Sequence, residues 1–382
     1  MSMPKTVFIV AGEASGDLHA ANLSKELLKL DASIQLEGMG GKNMREAGVN
    51  ILFDASDLAV MGIVEVLAKY RMIKGVLNQI KKHISHTRPD LLVLVDYQEF
   101  NQRLAAYAKD NGIKVLFYIG PQVWAWRPGR VYKMAKIVDQ MAVIFPFEVE
   151  LYKKAGVPVS FTGHPLIDEV IPDKSRQQAR EILGLQDQTT IGLFPGSRIS
   201  EVERLLPVLI NTAQLLKQKK PEAQFVLPMA STIRRDDLTK FELDLSALEV
   251  HIVEDKTHDV MQACDVIVVA SGTATLEIGL MEIPMVIIYR MSPISYFILR
   301  RLVKLTHVGL VNIVPGKEII KEFLQGDAQP EKLVAEVLRI LDDTDYNKNM
   351  RDELALLRDL LGHAGGSKNV ASLAFEMLQH NK

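Results

Sequence analysis

Cysteine is nearly absent from this chain of 382 residues, since Cys264 is the only one. A single cysteine cannot form an internal disulfide, which favours a reducing compartment. Cys264 lies among small and apolar residues, so packing explains it better than nucleophilic catalysis does. The nine histidines lack the spacing of metal ligands, and the sequence predicts no metal site.

Long apolar runs and an excess of charge of one sign are also lacking. No run approaches the roughly 20 residues that a membrane-spanning helix needs. The first apolar run ends at Ala11 and is followed by Glu13 and Asp17, unlike a secretory signal. The formal charge of −2 gives no electrostatic argument for nucleic acid as a partner. We therefore expect a cytoplasmic protein, or one attached to a membrane only at its surface.

What the chain does contain is a regular alternation of short apolar runs and longer amphipathic segments. This pattern is typical of α/β folds with parallel sheets. The run 91–95 has no polar alternation, as expected for a strand covered on both faces. The predicted strands are 6–11, 34–37, 91–95, 114–119, 141–145, 158–161, 190–194, 224–228, 249–253, 265–270 and 284–288.

The length favours two domains. Helix signals lapse between residues 163 and 174, and we place the boundary there. The predicted domains are 1–168 and 169–345. Two closing helices within 346–382 pack either on the second domain or back on the first.

A buried strand runs into a glycine turn and a helix once in each half. Strand 6–11 is followed by residues 12–17, and strand 190–194 is followed by residues 195–198. Amide groups and the helix dipole at such a turn favour anions such as phosphates. The first turn lacks the Lys-Ser/Thr ending of a P-loop and the spacing of the dinucleotide fingerprint. Two such units suggest two substrates that face each other across a cleft.

The turn in the second half carries the stronger signal. Ser197 and Arg198 offer a hydroxyl, amide donors and a bidentate cation to a diphosphate. The alternative is an arginine that caps a surface turn.

A third turn has the same character. Ser271, Gly272 and Thr273 follow an apolar strand and begin a helix, so their amides again suit phosphate. Glu277 lies one turn inside that helix, where a carboxylate can accept both hydroxyls of a ribose. The alternative is a start that resembles a capping box, formed by Thr273 and Glu277.

The candidate site residues of the first half are acidic. Asp96 directly follows strand 91–95, and Glu99 comes three residues later. Open α/β sheets keep their sites at the carboxyl ends of central strands, where Asp96 is a candidate general base on an alcohol. The alternative is an N-cap. Glu13 repels an anion and is better suited to a sugar hydroxyl or an amine.

Two segments, 58–84 and 295–304, interleave basic residues with large apolar ones. This pattern describes an interfacial helix, and the alternative is an ordinary core-facing helix. Trp124 and Trp126 lie beside Arg127 and suit either a wall for a sugar or amphiphile, or core packing.

In their joint order, these motifs closely resemble the lipid-A-disaccharide synthase family. Its members are inverting, metal-independent glycosyltransferases of family 19, with the GT-B fold of two Rossmann-like domains whose parallel sheets face each other across a cleft. The matching stretches cover nearly the whole chain: residues 12–17, 38–41, 58–62, Asp96 with 100–101, 121–127, 145–148, 163–165, 195–198, 271–277 and Asn312.

The resemblance implies that UDP-2,3-diacylglucosamine donates its sugar to the 6-hydroxyl of 2,3-diacylglucosamine 1-phosphate (lipid X), releasing UDP. The donor nucleotide binds the second half in GT-B enzymes. That places Arg198 and the turn 271–273 on the diphosphate and Glu277 on the ribose. Asn312 matches a family residue important for activity and is expected in the same pocket.

On the acceptor side, the resemblance makes Asp96 the leading base and lets Glu13 position the acceptor. Without a metal or another cofactor, Arg198 and helix amides must stabilise the charge on UDP. The chain departs from the family at Tyr97-Gln98, where a small residue and proline are usual, so Glu99 stays an alternative base. It also has Val311 in place of the usual proline before Asn312.

The expected partners are therefore the two acylated sugars and the cytoplasmic face of the inner membrane, contacted through 58–84 and 295–304. A homodimer is left open. Two alternatives remain. One is another GT-B transferase or epimerase that uses UDP-N-acetylglucosamine, and the other is a non-catalytic lipid-binding paralogue.

Overall fold

The computed structural model describes residues 4–55, 63–124, 128–230, 232–292, 296 and 306–379; for 63–70, 128 and 243 it describes the backbone alone. The chain forms two compact units. The first unit comprises Met1–Asp168 with Leu361–Lys382, and the second comprises Glu169–Leu360. The two units divide after residue 168, and the chain returns to the first unit at residue 361.

The first unit is built on a seven-stranded parallel sheet in the order β3-β2-β1-β4-β5-β6-β7. Its strands are β1 (Thr6–Ala11), β2 (Gln35–Gly40), β3 (Asn50–Asp54), β4 (Leu91–Val95), β5 (Val115–Tyr118), β6 (Gln140–Val143) and β7 (Val159–Phe161). The α-helices up to the boundary are α1 (Ala14–Leu30), α2 (Lys42–Glu46), α3 (Ile63–Thr87), α4 (Gln98–Asp110), α5 (Val131–Ile137), α6 (Pro146–Lys154) and α7 (Leu166–Glu169).

The second unit has a six-stranded parallel sheet in the order β10-β9-β8-β11-β12-β13. Its strands are β8 (Thr190–Phe194), β9 (Gln224–Met229), β10 (His251–Glu254), β11 (Val266–Ala270), β12 (Met285–Tyr289) and β13 (Glu322–Leu324). The remaining α-helices are α8 (Arg176–Leu183), α9 (Ile199–Lys219), α10 (Glu242–Ala247), α11 (Thr257–Ala263), α12 (Ala274–Leu280), α13 (Leu310–Ile313), α14 (Pro330–Asp342), α15 (Thr344–Leu360) and α16 (Gly366–Gln379).

Strand β1 shows why the first sheet is covered on both faces. Phe8 and Val10 pack with apolar side chains of α3, α4 and α5, whereas Val7 and Ile9 face α1 and α16. Successive side chains of a strand point to opposite faces, so an uninterrupted apolar strand needs helices on both sides. The α/β fold with parallel sheets is confirmed.

The closing helix α16 belongs to the first unit. Its residues Val370, Ala371, Ala374 and Leu378 are buried against α1 and the sheet. Helix α15 stays in the second unit, where it contacts α12 and α14. The last two helices therefore pack in different units.

Two strands were missing from the sequence prediction, namely β3 and β13. Both lie at an edge of their sheet, and Leu52 in β3 is 40% exposed. A short, half-exposed edge strand lacks the continuous apolar run that identified the central strands. Among the helices that the structure describes, none is long and apolar enough to cross a membrane.

Candidate functional site

In the first unit, Glu13 and Asp96 follow two neighbouring strands, β1 and β4. The strands are in register, with Ala11 beside Val95. The chain moves outward from β1 to β3 and then returns to β4 on the other side of β1. This is the switch point at which open α/β sheets bind ligands, beyond the carboxyl ends of the strands.

The turn between β4 and α4 has an uncommon backbone. Asp96 and Tyr97 both have positive φ, at 49° and 46°, a region that costs energy for residues other than glycine. The buried Asn101 side chain donates hydrogen bonds to the carbonyls of Val95 (3.2 Å) and Asp96 (2.7 Å). Asn101 therefore holds the turn that presents Asp96.

Glycine at position 12 is explained by the same turn. A Cβ on Gly12 would collide with the ring of Tyr97. The turns after β1 and β4 therefore lie in direct contact. The negative charge of Glu13 is close enough to affect the pKa of Asp96. Burial and the negative charge of Glu13 raise the pKa of Asp96 to about 6.

The alternative base, Glu99, is placed differently. Its side chain is 67% exposed and forms an ion pair with Arg130 at 3.0 Å. Glu13 is also exposed, and its side chain makes no capping hydrogen bond to α1.

Asp17 has a structural role that the sequence did not reveal. It lies inside α1, and its buried carboxylate accepts hydrogen bonds from the amides of Gly41 (2.6 Å), Asn43 (2.9 Å) and Met44 (3.3 Å). It thus caps α2 rather than the helix that contains it. No local signal indicates a partner that lies 24 residues away.

Trp124 lies in a packed aromatic cluster. Its ring contacts Phe147 edge to face at 5.3 Å, and its Nε1 donates to Oε1 of Glu148 at 3.2 Å. Burial raises the pKa of Glu148 to about 7 and lowers that of His164, which packs against Phe145, to about 3. Core packing thus accounts for the buried side of Trp124, which stays partly exposed. Residues 125–127, with Trp126 and Arg127, lie outside the described residues.

In the second unit, the two predicted phosphate turns also follow neighbouring strands. Strand β8 pairs with β11. The chain moves outward from β8 to β10 and then returns to β11 on the other side of β8. Ser197 and Arg198 extend from β8, and residues 271–273 extend from β11. These turns therefore meet at the switch point of the second sheet.

The turn after β8 already holds an anion of its own. The Oε2 atom of Glu201 accepts hydrogen bonds from the amides of Ser197 (3.2 Å) and Arg198 (3.3 Å), and Oε1 accepts one from Nη1 of Arg198 (2.9 Å). The amides that we expected to bind a phosphate are thus occupied. The Arg198 side chain itself remains 76% exposed. The spacing of a capping box, with an acid three residues after the N-cap, could have identified Glu201.

The turn after β11 is more open. Gly272 and Thr273 are exposed. Among the residues that the structure describes, apart from the chain neighbours of Gly272, none lies within 4 Å of where a Cβ on Gly272 would stand. Ser271 donates its hydroxyl hydrogen bond to the carbonyl of Val308 at 2.8 Å. The hydroxyl of Thr275 donates to the carbonyl of Gly272 at 2.8 Å and fixes the turn.

Glu277 is paired with a histidine that the sequence did not single out. Its Oε2 lies 3.2 Å from Nε2 of His258, and this contact is the main reason that the pKa of His258 is raised. His258 also lines an open groove of about 540 Å³ at the carboxyl ends of β9 and β10, together with Met229, Lys174 and residues 255–257. A groove of this size beside a carboxylate has room for a nucleoside.

The structure places Asn312 inside the second unit rather than in a position to touch a nucleotide. Its side chain is fully buried. Its Nδ2 donates to the carbonyl of Ile320 (2.7 Å) and to Glu322 (2.8 Å), and its Oδ1 accepts from the amides of Ile319 (2.8 Å) and Ile320 (2.9 Å). Both donors and both acceptor positions are used, so Asn312 holds a loop together instead of binding a ligand directly.

The predicted membrane segments are described only in part. Residues 58–62 and nearly all of 295–304 lie outside the described residues. In the rest of 58–84, Leu77, Ile80 and Ile84 are buried in the core of the first unit. For residues 77–84 of α3, the interpretation as an ordinary core-facing helix is right.

The family model and the similar proteins named below all point to the same family. Residues 7–374 match the family model described as lipid-A-disaccharide synthetase. The chain is 50% identical to the lipid-A-disaccharide synthase of Geobacter metallireducens, over 98% of this chain and 97% of that protein. It is 40% identical to the enzyme of the same name from Coxiella burnetii, over 98% and 99%.

Solved structures share the fold. A putative UDP-N-acetylglucosamine 2-epimerase from Listeria monocytogenes has a TM-score of 0.67 at 12% identity, covering 99% of this chain and 98% of that one. A glycotransferase of kitacinnamycin has a TM-score of 0.63 at 16% identity, covering 98% and 100%. The architecture is that of GT-B glycosyltransferases and epimerases.

Proposed function

The chain belongs to the lipid-A-disaccharide synthase family, and we propose on that basis that it joins two acylated glucosamines. The donor is UDP-2,3-diacylglucosamine, and the acceptor is the 6-hydroxyl of 2,3-diacylglucosamine 1-phosphate. The acceptor oxygen forms a bond to the anomeric carbon while the bond from that carbon to UDP breaks. The proton of the hydroxyl passes to a base, and UDP leaves with the electron pair.

Asp96 is our candidate for that base. The observation that supports it is its place beyond β4 at the switch point of the first sheet, next to Glu13. A pKa of about 6 leaves the carboxylate ionised at neutral pH, yet makes it a better proton acceptor than an ordinary aspartate. Glu99 lacks this environment, since it is exposed and paired with Arg130.

Glu13 is proposed to position the acceptor. Its carboxylate is exposed at the start of α1 and has no capping role. A carboxylate accepts hydrogen bonds from sugar hydroxyls. Its second effect is electrostatic, because it disfavours the charged form of Asp96.

The second unit is proposed to hold the nucleotide. The exposed Arg198 guanidinium and the open turn 271–273 would receive the diphosphate, and Glu277 would receive the ribose hydroxyls beside the groove that His258 lines. A guanidinium provides the planar, bidentate donors that suit phosphate oxygens. The Ser271 amide already donates to the carbonyl of Ile288 at 3.1 Å. We propose that the guanidinium and the amides of Gly272 and Thr273 stabilise the leaving group without a metal ion.

Contact with the cytoplasmic face of the inner membrane is proposed through 295–304 and the part of 58–84 that precedes Val76. Basic and large apolar residues alternate there in the sequence. Sedimentation with vesicles that contain anionic lipid tests this contact. Replacing Arg300 and Arg301 together by glutamate should reduce the bound fraction, and unchanged binding would contradict the proposal for 295–304.

The function is tested by measuring UDP release in detergent micelles with both acylated sugars present. We expect release that requires both substrates, yields the tetraacyl disaccharide phosphate and persists in EDTA. Formation of a free epimer from UDP-N-acetylglucosamine would favour an epimerase instead. Binding of the acylated sugars with no turnover would favour a non-catalytic protein.

A further inference from the structure

The N-terminus of α9 carries a complete anion-binding arrangement, and the chain fills it with a carboxylate of its own. Glu201 is buried, with a side chain only 11% exposed. One of its oxygens accepts hydrogen bonds from the amides of Ser197 and Arg198, and the other accepts one from the Arg198 guanidinium. A phosphate placed on these amides would have to replace Glu201.

The turn is shaped around this carboxylate. Gly196 has φ of +105°, and a Cβ there would collide with the Glu201 carboxyl group. Displacing Glu201 would also leave a buried charge without its partners, which is costly. The internal carboxylate is therefore a fixed part of the turn rather than a placeholder that a ligand removes.

We propose that Glu201 is a positioning residue for Arg198, and that the diphosphate of the donor contacts the guanidinium and the turn 271–273 but not the amides of Ser197 and Arg198. This inference rests on the proposed function. Glu201 accepts a hydrogen bond from Nη1 of Arg198. Within the described part of the chain, Nε and Nη2 have no hydrogen-bond acceptor, so they can donate from a side chain that is 76% exposed. The positive charge of Arg198 also offsets the negative charge of Glu201, which would otherwise repel the diphosphate.

A capping box alone would not require this arrangement. A glutamate at the third helical position commonly returns to the N-cap amide, and glutamine does so as well, since its amide oxygen also accepts hydrogen bonds. What glutamine lacks is the charge that holds the guanidinium. Glu201→Gln therefore preserves the cap and weakens the hold on Arg198.

The test is a double-mutant cycle of Glu201→Gln and Arg198→Ala, measured by UDP release and by calorimetric UDP binding. A charged hydrogen bond is worth more than a neutral one, so we expect Glu201→Gln to lower kcat about 10-fold. In the Arg198→Ala background the same change should cause no further loss, because its target is gone. UDP affinity should follow the same pattern.

Glu203→Gln is the matched control. Glu203 lies on the same helix and pairs with Lys240 at 2.8 Å, with both side chains about half exposed, so its loss should leave kcat and UDP affinity unchanged. Thermal unfolding verifies that each variant folds. If the glutamine variant does not fold, Glu201→Asp, which withdraws the charge by one methylene, replaces it in the cycle.

Two results would overturn the inference. One is a wild-type rate for Glu201→Gln, and the other is a loss that multiplies with that of Arg198→Ala. The proposed function fails separately, if the wild-type protein releases no UDP with both acylated sugars present.

Discussion

Burial and, after it, the carboxylate of Glu13 just beyond β1 raise the pKa of Asp96, which lies just beyond the neighbouring strand β4. A neighbouring negative charge disfavours the ionised form of a buried carboxyl group. The arrangement gives the buried member the properties of a base and leaves the exposed member free to meet a hydroxyl.

Replacing Asp96 by asparagine should lower kcat about 10²- to 10⁴-fold, the usual contribution of a general base. The fold should persist, because the backbone of the turn is held by Asn101. Initial rates of UDP release measure the effect. Asp110→Asn serves as the control, because Asp110 is an exposed residue at the far end of α4, the helix that follows Asp96. A comparable loss in Glu99→Gln, with Asp96→Asn still active, would transfer the role of base to Glu99.

Removing the charge of Glu13 should move the pH profile. The base works when it is ionised, so kcat/KM should rise with pH through the pKa of Asp96, near 6 in the wild-type protein. In Glu13→Gln the repulsion disappears, the pKa of Asp96 falls and the rising limb should shift to lower pH. The shift stays incomplete, because burial is the larger cause and remains. An unmoved limb would contradict the electrostatic coupling, whatever happens to the maximum rate.

Asn312→Ala should act mainly through stability. The change removes four hydrogen bonds from a fully buried site and leaves backbone groups of Ile319 and Ile320 without partners. We expect a loss of unfolding free energy on the order of 3 kcal/mol, measured by urea unfolding. Gln329→Ala, at an exposed N-cap whose side chain makes no capping hydrogen bond, should cost little by comparison. Full stability with lost UDP affinity would instead restore Asn312 to a direct binding role.

The pair of His258 and Glu277 should make stability depend on pH. The pKa of His258 is raised in the folded protein, first by its hydrogen bond to Glu277 and further by the charges of Glu277, Glu169 and Asp259. The stabilisation is therefore fully present below the unfolded value of about 6.5 and is lost as the pH rises through the higher folded value. Urea midpoints of wild type and His258→Gln should differ most below the unfolded pKa and converge as the pH rises past the raised folded pKa. A difference that does not change with pH would argue against a charged His258 in the folded state.

Much of the architecture was predictable because central parallel strands are apolar along their whole length. Strands β4 and β8 were predicted to the residue, and each is buried throughout. The edge strands β3 and β13 were missed because their partly exposed residues carry no such signal. The turns after β1, β4, β8 and β11 were identified as candidate sites from the polar and glycine residues that follow these strands.

The partners of the polar side chains were less predictable. Asp17 caps a helix far along the chain, and Asn312 is fully used inside its own unit. In both cases the sequence showed a polar residue near a predicted site, but its hydrogen-bond partners depend on which other loop packs against it.

The sequence by itself determined the family, the two parallel sheets and the residue types at their switch points, because strand periodicity and turn composition are local properties. Only the tertiary structure decided that Asp17 caps α2, that Glu277 is paired with His258, and that α16 returns to the first sheet. Each of these depends on packing between segments that are separated in sequence or on the direction of a side chain within a turn. Neither quantity is encoded in periodicity, since hydrogen-bond partners are fixed only when the chain closes around them.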